Sequence, residues 1–369
     1  MEKRFSNKVL KVVMGVALFH LFTFSPLSAL ADETDETIDL KALYQEIDDA
    51  ISQSPQYVAE RERQITTYRD SLQKETNVEK RLLMAENLFR LYESYRNDSA
   101  LHFVELCINL ANYLHRPDLT GRFRSLLAYQ CSRTDRHAES LEQLHLIDKS
   151  ALDKRGLADY YHAWMHVCGE IGLYTQREAI RQRSFKQQDL YRDSVLMATE
   201  EGSEEWYHLK VDILSARRLF QDAMEISDQW LQKVTDGTHE SAYAAFYRSM
   251  IYDRLNNHDM VCYWLGKSAL DDIKCAVMNQ ASLLFLAEHL ADDGDVERAH
   301  RYMEFAKDCN LTFTPQLRNY QVHPVVNIVE KNCHDTLARA DMILMIAIGV
   351  IVLLLIVLTV MCIKRKKQK

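Results

Sequence analysis

Between about residues 32 and 341, apolar residues recur three and four positions apart, and the strict alternation of a strand is nowhere sustained. Ala100, Phe103, Val104, Cys107, Ala111 and Leu114 form one stripe; Leu82, Ala85, Phe89 and Tyr92 form another. Each set falls on one face of a helix. Asp98 stands just ahead of the first stripe, where an N-cap belongs. No proline occurs between Pro117 and Pro315, so nothing of that kind interrupts the pattern. The helices come in pairs. Leu283, Leu286, Ala287 and Leu290 mark one helix, Asp292-Asp293-Gly294-Asp295 turns the chain, and Ala299, Met303 and Ala306 face back from a second.

That unit resembles the tetratricopeptide repeat, in which a small residue near the start of the second helix lets two helices cross closely. With Ala299 at the small position, the equivalents upstream are Val261, Ala223, Ala179, Ala138 and Ala100. Their separations are 38, 38, 44, 41 and 38 residues, longer than the ~34 of the common repeat. The Ala179 unit departs most. Its second helix runs on through Arg181 to Met197 with alternating charge, and Glu200-Glu201-Gly202-Ser203 ends it. Ahead of the array, Leu40 to Ile51 and Val58 to Leu72 are two amphipathic helices around Ser54-Pro55. Thr312 to Pro324 is a break, and Val325 to Ala340 a closing helix. The expected fold is all-α: a tetratricopeptide-like helical-hairpin solenoid followed by one transmembrane helix.

Met342 to Ile363 is a run of twenty-two residues without charge or proline, bounded by Asp341 and Lys364. As a helix it is about 33 Å long, enough to cross the hydrocarbon layer. The basic cluster Lys364-Arg365-Lys366-Lys367-Gln368-Lys369 is of the kind retained in the cytoplasm. At the other end, Lys3, Arg4, Lys8 and Lys11 precede an apolar stretch from Val12 to Phe24, and Ala29-Leu30-Ala31 supplies small cleavage-site residues. That is a secretory signal. The expected layout is a signal peptide at 1–31, a helical cap at 32–77, the repeat array at 78–310 and a closing helix with membrane-proximal linker at 311–341. The transmembrane helix at 342–363 and a cytoplasmic tail at 364–369 complete it.

This partition changes the meaning of the charge. Of the net −8, the signal holds +3 and the tail +5, leaving −16 on the region between them. Such a surface repels phosphate backbones, so direct nucleic-acid binding is not expected. The eight cysteines show no CxxC and no close set of ligand spacings, and they fall on apolar helical positions, as small core residues do. Phosphate-cradling glycine runs and a nucleophile elbow are absent from the sequence. His162 and His166, one turn apart, are the best metal candidate by spacing, but zinc needs a third protein ligand and the pair reads as lining a helix surface. Asp292 to Asp295 is far shorter than a calcium-binding loop. No cofactor, metal or catalytic residue is expected.

The sequence is similar to the single-pass membrane tetratricopeptide regulators of Gram-negative bacteria, a family of domain-of-unknown-function type. The resemblance rests on Gln56-Tyr57-Val58-Ala59, on Phe89-x-x-Tyr92-x-x-Tyr95 followed by Asp98-Ser99-Ala100, and on Arg318-Asn319-Tyr320-Gln321. Members of this type usually continue beyond the membrane into a coiled coil and a helix-turn-helix domain, whereas this sequence ends at Lys369. With the signal, the span and the basic tail, the expected protein sits in the inner membrane with a periplasmic N-terminal domain and a cytoplasmic C-terminus, and a tail of six residues leaves any output to a membrane or cytoplasmic partner. Helical solenoids bind peptides or proteins along a concave face lined by the first helix of each pair. Here that face is expected to include Tyr92, Trp164, His208, Tyr243, Phe246 and Arg254, since aromatic residues and arginine anchor such surfaces. The expected role is a sensor or adaptor in envelope signalling, not an enzyme. A structural scaffold for envelope complexes is the main rival, and a membrane-tethered hydrolase a remote one.

Overall fold

The computed structural model describes residues 38–314 and 341–358, together with 330, 331, 334, 338, 339 and 361. The signal peptide, the Arg318-Asn319-Tyr320-Gln321 motif, most of the closing helix and the basic tail lie outside the described residues. Among the described residues there is no strand. The chain opens with α1 (Leu40–Lys74). Six hairpins follow among the described residues. They are α2 (Val78–Tyr92) with α3 (Asn97–Tyr113), α4 (Pro117–Ser132) with α5 (His137–His145), and α6 (Lys154–Tyr174) with α7 (Glu178–Ala198). Then come α8 (Glu204–Ala216) with α9 (Phe220–Leu231), α10 (His239–Leu255) with α11 (His258–Lys274), and α12 (Ala281–Asp292) with α13 (Val296–Phe313). A final helix, α14, covers residues 341–358.

Seven of the thirteen helices from α1 to α13 start where a short polar side chain satisfies one of the first free amides. Asp39 accepts from the Ala42 amide at 2.9 Å, Asn77 from Lys80 at 3.0 Å and Asp153 from Gly156 at 2.7 Å. Asp98 is not such a cap. It lies inside the first turn of α3, where its charge suits the helix dipole and Arg136 meets it at 3.2 Å. The hairpin turns keep the tetratricopeptide geometry without its glycine. Gly294 has φ +91°, and 38 and 76 residues earlier Asn256 and Arg218 adopt φ +57° and +61° in the same place. Asp135 does likewise at +65°. The left-handed turn residue is therefore retained in shape while its identity drifts.

The close crossings are real, but two of the six small positions are elsewhere than expected. Ala100, Ala223 and Ala299 are fully buried and Val261 nearly so. Ala138 is exposed, and the fully buried small residue is Ser140, in the fourth place of α5 as Ala100 is of α3. Ala179 is exposed as well. In that hairpin the small residues sit on the first helix. A Cβ on Gly172 would lie 2.8 Å from the Phe185 ring, and one on Gly169 would lie 2.5 Å from the Gln188 amide nitrogen. The Phe185 ring cannot fold aside as a flexible side chain would. Gly172→Ala is therefore expected to cost about 1–3 kcal/mol, read by chemical denaturation. An unchanged midpoint would show that α6 and α7 separate freely.

The region ahead of the array differs most from expectation. Residues 40–72 do not form two helices around Ser54-Pro55: α1 is one helix of 35 residues, about 52 Å long, with Pro55 inside it. A proline removes one hydrogen bond and usually kinks or ends a helix. Here both halves are held by separate cores. Leu43, Tyr44, Ile47 and Ala50 pack against α11, α12 and α13. Ile65 and Leu72 pack against α2 and α3, and Tyr57 touches both cores. Polar bonds repeat the arrangement. The Tyr302 hydroxyl donates to the Tyr44 carbonyl at 3.0 Å and Arg301 reaches Asp48 at 3.0 Å, while Arg61 donates to the Leu91 carbonyl at 2.8 Å. So α1 is a strut joining the last hairpins to the first. The last hairpins also meet the first ones directly. The Met278 amide donates to the Ser94 carbonyl at 2.8 Å, and the Arg133 guanidinium lies 5.5 Å from the centre of the Phe313 ring. The solenoid closes into a ring.

The helix at 341–358 is unlike all of these. It is long and apolar enough to cross a membrane, and none of it is buried against the rest of the chain.

Candidate functional site

Closing the ring turns the concave face into a chamber. Its volume is about 280 Å³, roughly twice the ~150 Å³ that admits a benzene-sized molecule. The first helices of the hairpins supply most of the wall: Tyr129 from α4 with Arg133 just past its end, His166 and Glu170 from α6, His239, Tyr243 and Phe246 from α10, and Leu284 and Phe285 from α12. The rest comes from Ser268 and Asp272 on α11 and from where the ends meet, with Ser94 and Val277 on loops and Asn310 and Phe313 on α13.

Two kinds of side chain line the chamber. An aromatic bed is made by Phe246 and Phe285, whose rings stack with centroids 6.2 Å apart, with Leu284 and Phe313 beside them. The polar side carries both signs of charge. His239 Nδ1 and Asp272 Oδ1 are 2.7 Å apart. Burial alone would lower the pKa of this imidazole, but the carboxylate offsets it and holds His239 above the ordinary histidine range. Side-chain atoms of His239 remain about half open, towards the chamber. His166 Nδ1 lies 2.7 Å from the Ser132 hydroxyl, and Glu170 is on the next turn. Burial pushes the Tyr243 and Tyr247 phenols well up, so both are neutral hydrogen-bonding groups at any physiological pH.

Of the six residues expected on the binding face, Tyr243 and Phe246 line the chamber. The other four lie elsewhere. Tyr92 is 4% exposed and stacks on Phe103 with centroids 5.5 Å apart, in the core of the first hairpin. Trp164 is half-buried and stacks on Tyr191 at 5.4 Å between α6 and α7. His208 is buried behind the wall, 4.4 Å from the Tyr247 ring and 5.4 Å from Tyr243. Arg254 borders a separate crevice beside Asp212 and Ser215, with room for about one water. The pair His162 and His166 does not converge on a point. The Tyr129 ring lies against both, at 4.7 and 4.8 Å, and His162 faces Glu205 at 3.6 Å.

Sequence reasoning missed Arg133, Glu170, His239 and Asp272. None stands in a motif, and only the ring brings α4, α6, α10 and α11 around one space. The one available signal was negative: Asp271 and Asp272 interrupt the last turns of a helix whose other residues are largely apolar or small. The Ser241 hydroxyl donates to Asp271 at 2.5 Å, which leaves Asp272 to His239.

No curated protein matches the chain. The family model described as the SusR N-terminal TPR domain matches residues 51–324, from the middle of α1 to just beyond α13. The match and the helical hairpins agree, and the chain belongs to the family of the SusR N-terminal TPR domain.

Proposed function

We propose that this chain is a membrane-anchored, periplasmic helical-repeat protein that binds a peptide or protein in its central chamber and acts as a sensor or adaptor in envelope signalling. Tetratricopeptide domains mediate protein–protein contacts, and an apolar helix follows the repeats. The observation that carries the reading is the chamber itself, which combines an aromatic bed with hydrogen-bonding side chains in the space left between the first and last hairpins. Its size excludes a helix and suits one apolar side chain with its adjoining backbone, as at the end or the turn of a peptide. Arg133, His239 and Tyr243 donate to carbonyl or carboxylate groups, and Asp272 and Glu170 accept from amides. The helix at 341–358 holds this domain at the inner membrane and passes the bound state to a partner within or beneath the bilayer.

The test is capture in living cells with a photo-crosslinking residue at Phe246, followed by identification of what is bound. Tyr243→Ala is expected to reduce capture by about tenfold, the loss typical of a residue worth at least 1.4 kcal/mol at an interface. Circular dichroism should be unaltered. Arg254→Glu, outside the chamber, reports whether the partner extends along the rim. Capture unchanged in both variants would sink the reading.

A further inference from the structure

At one corner of the ring, where the α10–α11 turn meets the α12–α13 turn, four potential metal ligands gather that the chamber does not use. His258 and Cys262 are one turn apart on α11; His289 and Asp293 are one turn apart at the end of α12. Each pair therefore projects from one helical face. One donor atom from each of His258, Cys262 and His289 lies within 4.8 Å of the other two. His258 Nε2 is 3.7 Å from Cys262 Sγ and 2.8 Å from Asp293 Oδ2, and the two imidazole rings are 5.2 Å apart. Cys262 is buried, His289 partly so and His258 exposed, which leaves an entry path from solvent.

We propose that His258, Cys262 and His289, with Asp293 as fourth donor, form a binding site for a zinc-class divalent cation. Tetrahedral zinc, with bonds of about 2.0–2.3 Å, needs donors roughly 3.5 Å apart, and His258 and Cys262 already meet that spacing. A set of two imidazoles, one thiolate and one carboxylate suits zinc and disfavours the all-oxygen cations calcium and magnesium. Cys262 binds as the thiolate, its proton passing to water. Tyr44, on α1, is packed in the same buried cluster as Cys262. The site thus lies under the N-terminal half of the strut. A cation there fastens α11 to α12 at the surface on which α1 rests, and the ring is held shut more firmly when it is filled.

Cobalt(II) added to the full-length protein in detergent, under a non-chelating reductant, is the probe. One equivalent is expected to produce a thiolate-to-cobalt charge-transfer band with tetrahedral d–d absorption, and zinc should displace it. Zinc should also raise the thermal unfolding midpoint of the wild type. Cys262→Ser should abolish the charge-transfer band, and His289→Ala should weaken binding by more than the ~10–100-fold typical of outer-shell changes. Both variants should retain helical circular dichroism; His162→Ala/His166→Ala is the control and should bind like wild type. If cobalt gives no charge-transfer band, or if the same band persists in Cys262→Ser or Cys262→Ala, the site does not exist as described. Binding lost only in the His162/His166 control would equally overturn it.

Discussion

Replacing Ile47 by aspartate is expected to open the ring. Ile47 is fully buried where α1 meets α11 and α13, and a Cβ on Gly266 would come within 2.7 Å of its neighbour Leu43. Ile47→Ala alone should cost about 2–5 kcal/mol, as for other buried aliphatic truncations. Aspartate adds the penalty of an unpaired charge in an apolar seam and should exceed that range's midpoint. The loss should be local. The C-terminal half of α1 stays anchored through Ile65, Leu72 and Arg61, so hydrogen exchange should accelerate in residues 40–52 while the α2–α3 amides keep their protection. Uniform loss of protection would mean that closure and folding of the whole array are one event. Gln45→Asp, on the exposed face of the same helix, is the matched control.

Arg122→Met is expected to be as damaging for a different reason. Arg122 is 5% exposed and joins three helices: its guanidinium donates to Glu86 of α2 at 2.7 Å and to Asp159 of α6 at 3.0 Å. Removing one partner of a buried ion-pair network typically costs about 3–5 kcal/mol, because the remaining charges lose their compensation. The variant should show a diagnostic pH dependence. Burial already holds the Asp159 carboxyl above the usual carboxylate range despite Arg122 beside it. Without the guanidinium, the Asp159 carboxyl rises further. A carboxyl that binds its proton more tightly folded than unfolded favours folding once it is protonated and opposes folding once it is ionised. The deficit of Arg122→Met should therefore be full near neutral pH and shrink as pH falls towards the unfolded carboxyl range of about 4. Adding Glu86→Gln and Asp159→Asn should recover most of the loss without acidification. A deficit independent of pH would show that Arg122 acts through packing alone.

Much of the fold was legible because its causes are local. The stripes through α2, α3, α12 and α13 lie on one face at helical spacing, and every residue named in them is buried except the half-buried Leu114. The apolar run beginning at Met342 needs no tertiary information either. The register slipped at Ala138 and Ala179 because a close crossing needs a small residue on either helix, and sequence spacing cannot say which. The strut was hidden for a related reason. Pro55 is a local stop signal, overridden by two cores that grip α1 from opposite ends of the chain. Tyr44 and Tyr302 touch across 258 positions, and no periodicity reports such a contact.

The lining of the chamber was only partly legible for the same physical reason. Of the aromatic residues expected on first helices, Tyr92 and Trp164 fill the grooves between helices, whereas Tyr243 and Phe246 also line the chamber. Which way a helix face points depends on the neighbours it acquires. The histidine pairs repeat the lesson. His162 and His166 share a face that meets a tyrosine ring, whereas His258 and His289, far apart in sequence, meet because two hairpin turns coincide.

The claim on which the others rest is that α1 closes the repeat array around its concave face. Spin labels on Asp49 of α1 and His300 of α13, both exposed, test it by pulsed electron resonance on the full chain in a bilayer. Because Asp48 touches Arg301, the labels should give a single short, narrow distance distribution, and Ile47→Asp should replace it with a long, broad one. A broad distribution in the wild type, indifferent to Ile47→Asp, would mean an open solenoid with no chamber to fill.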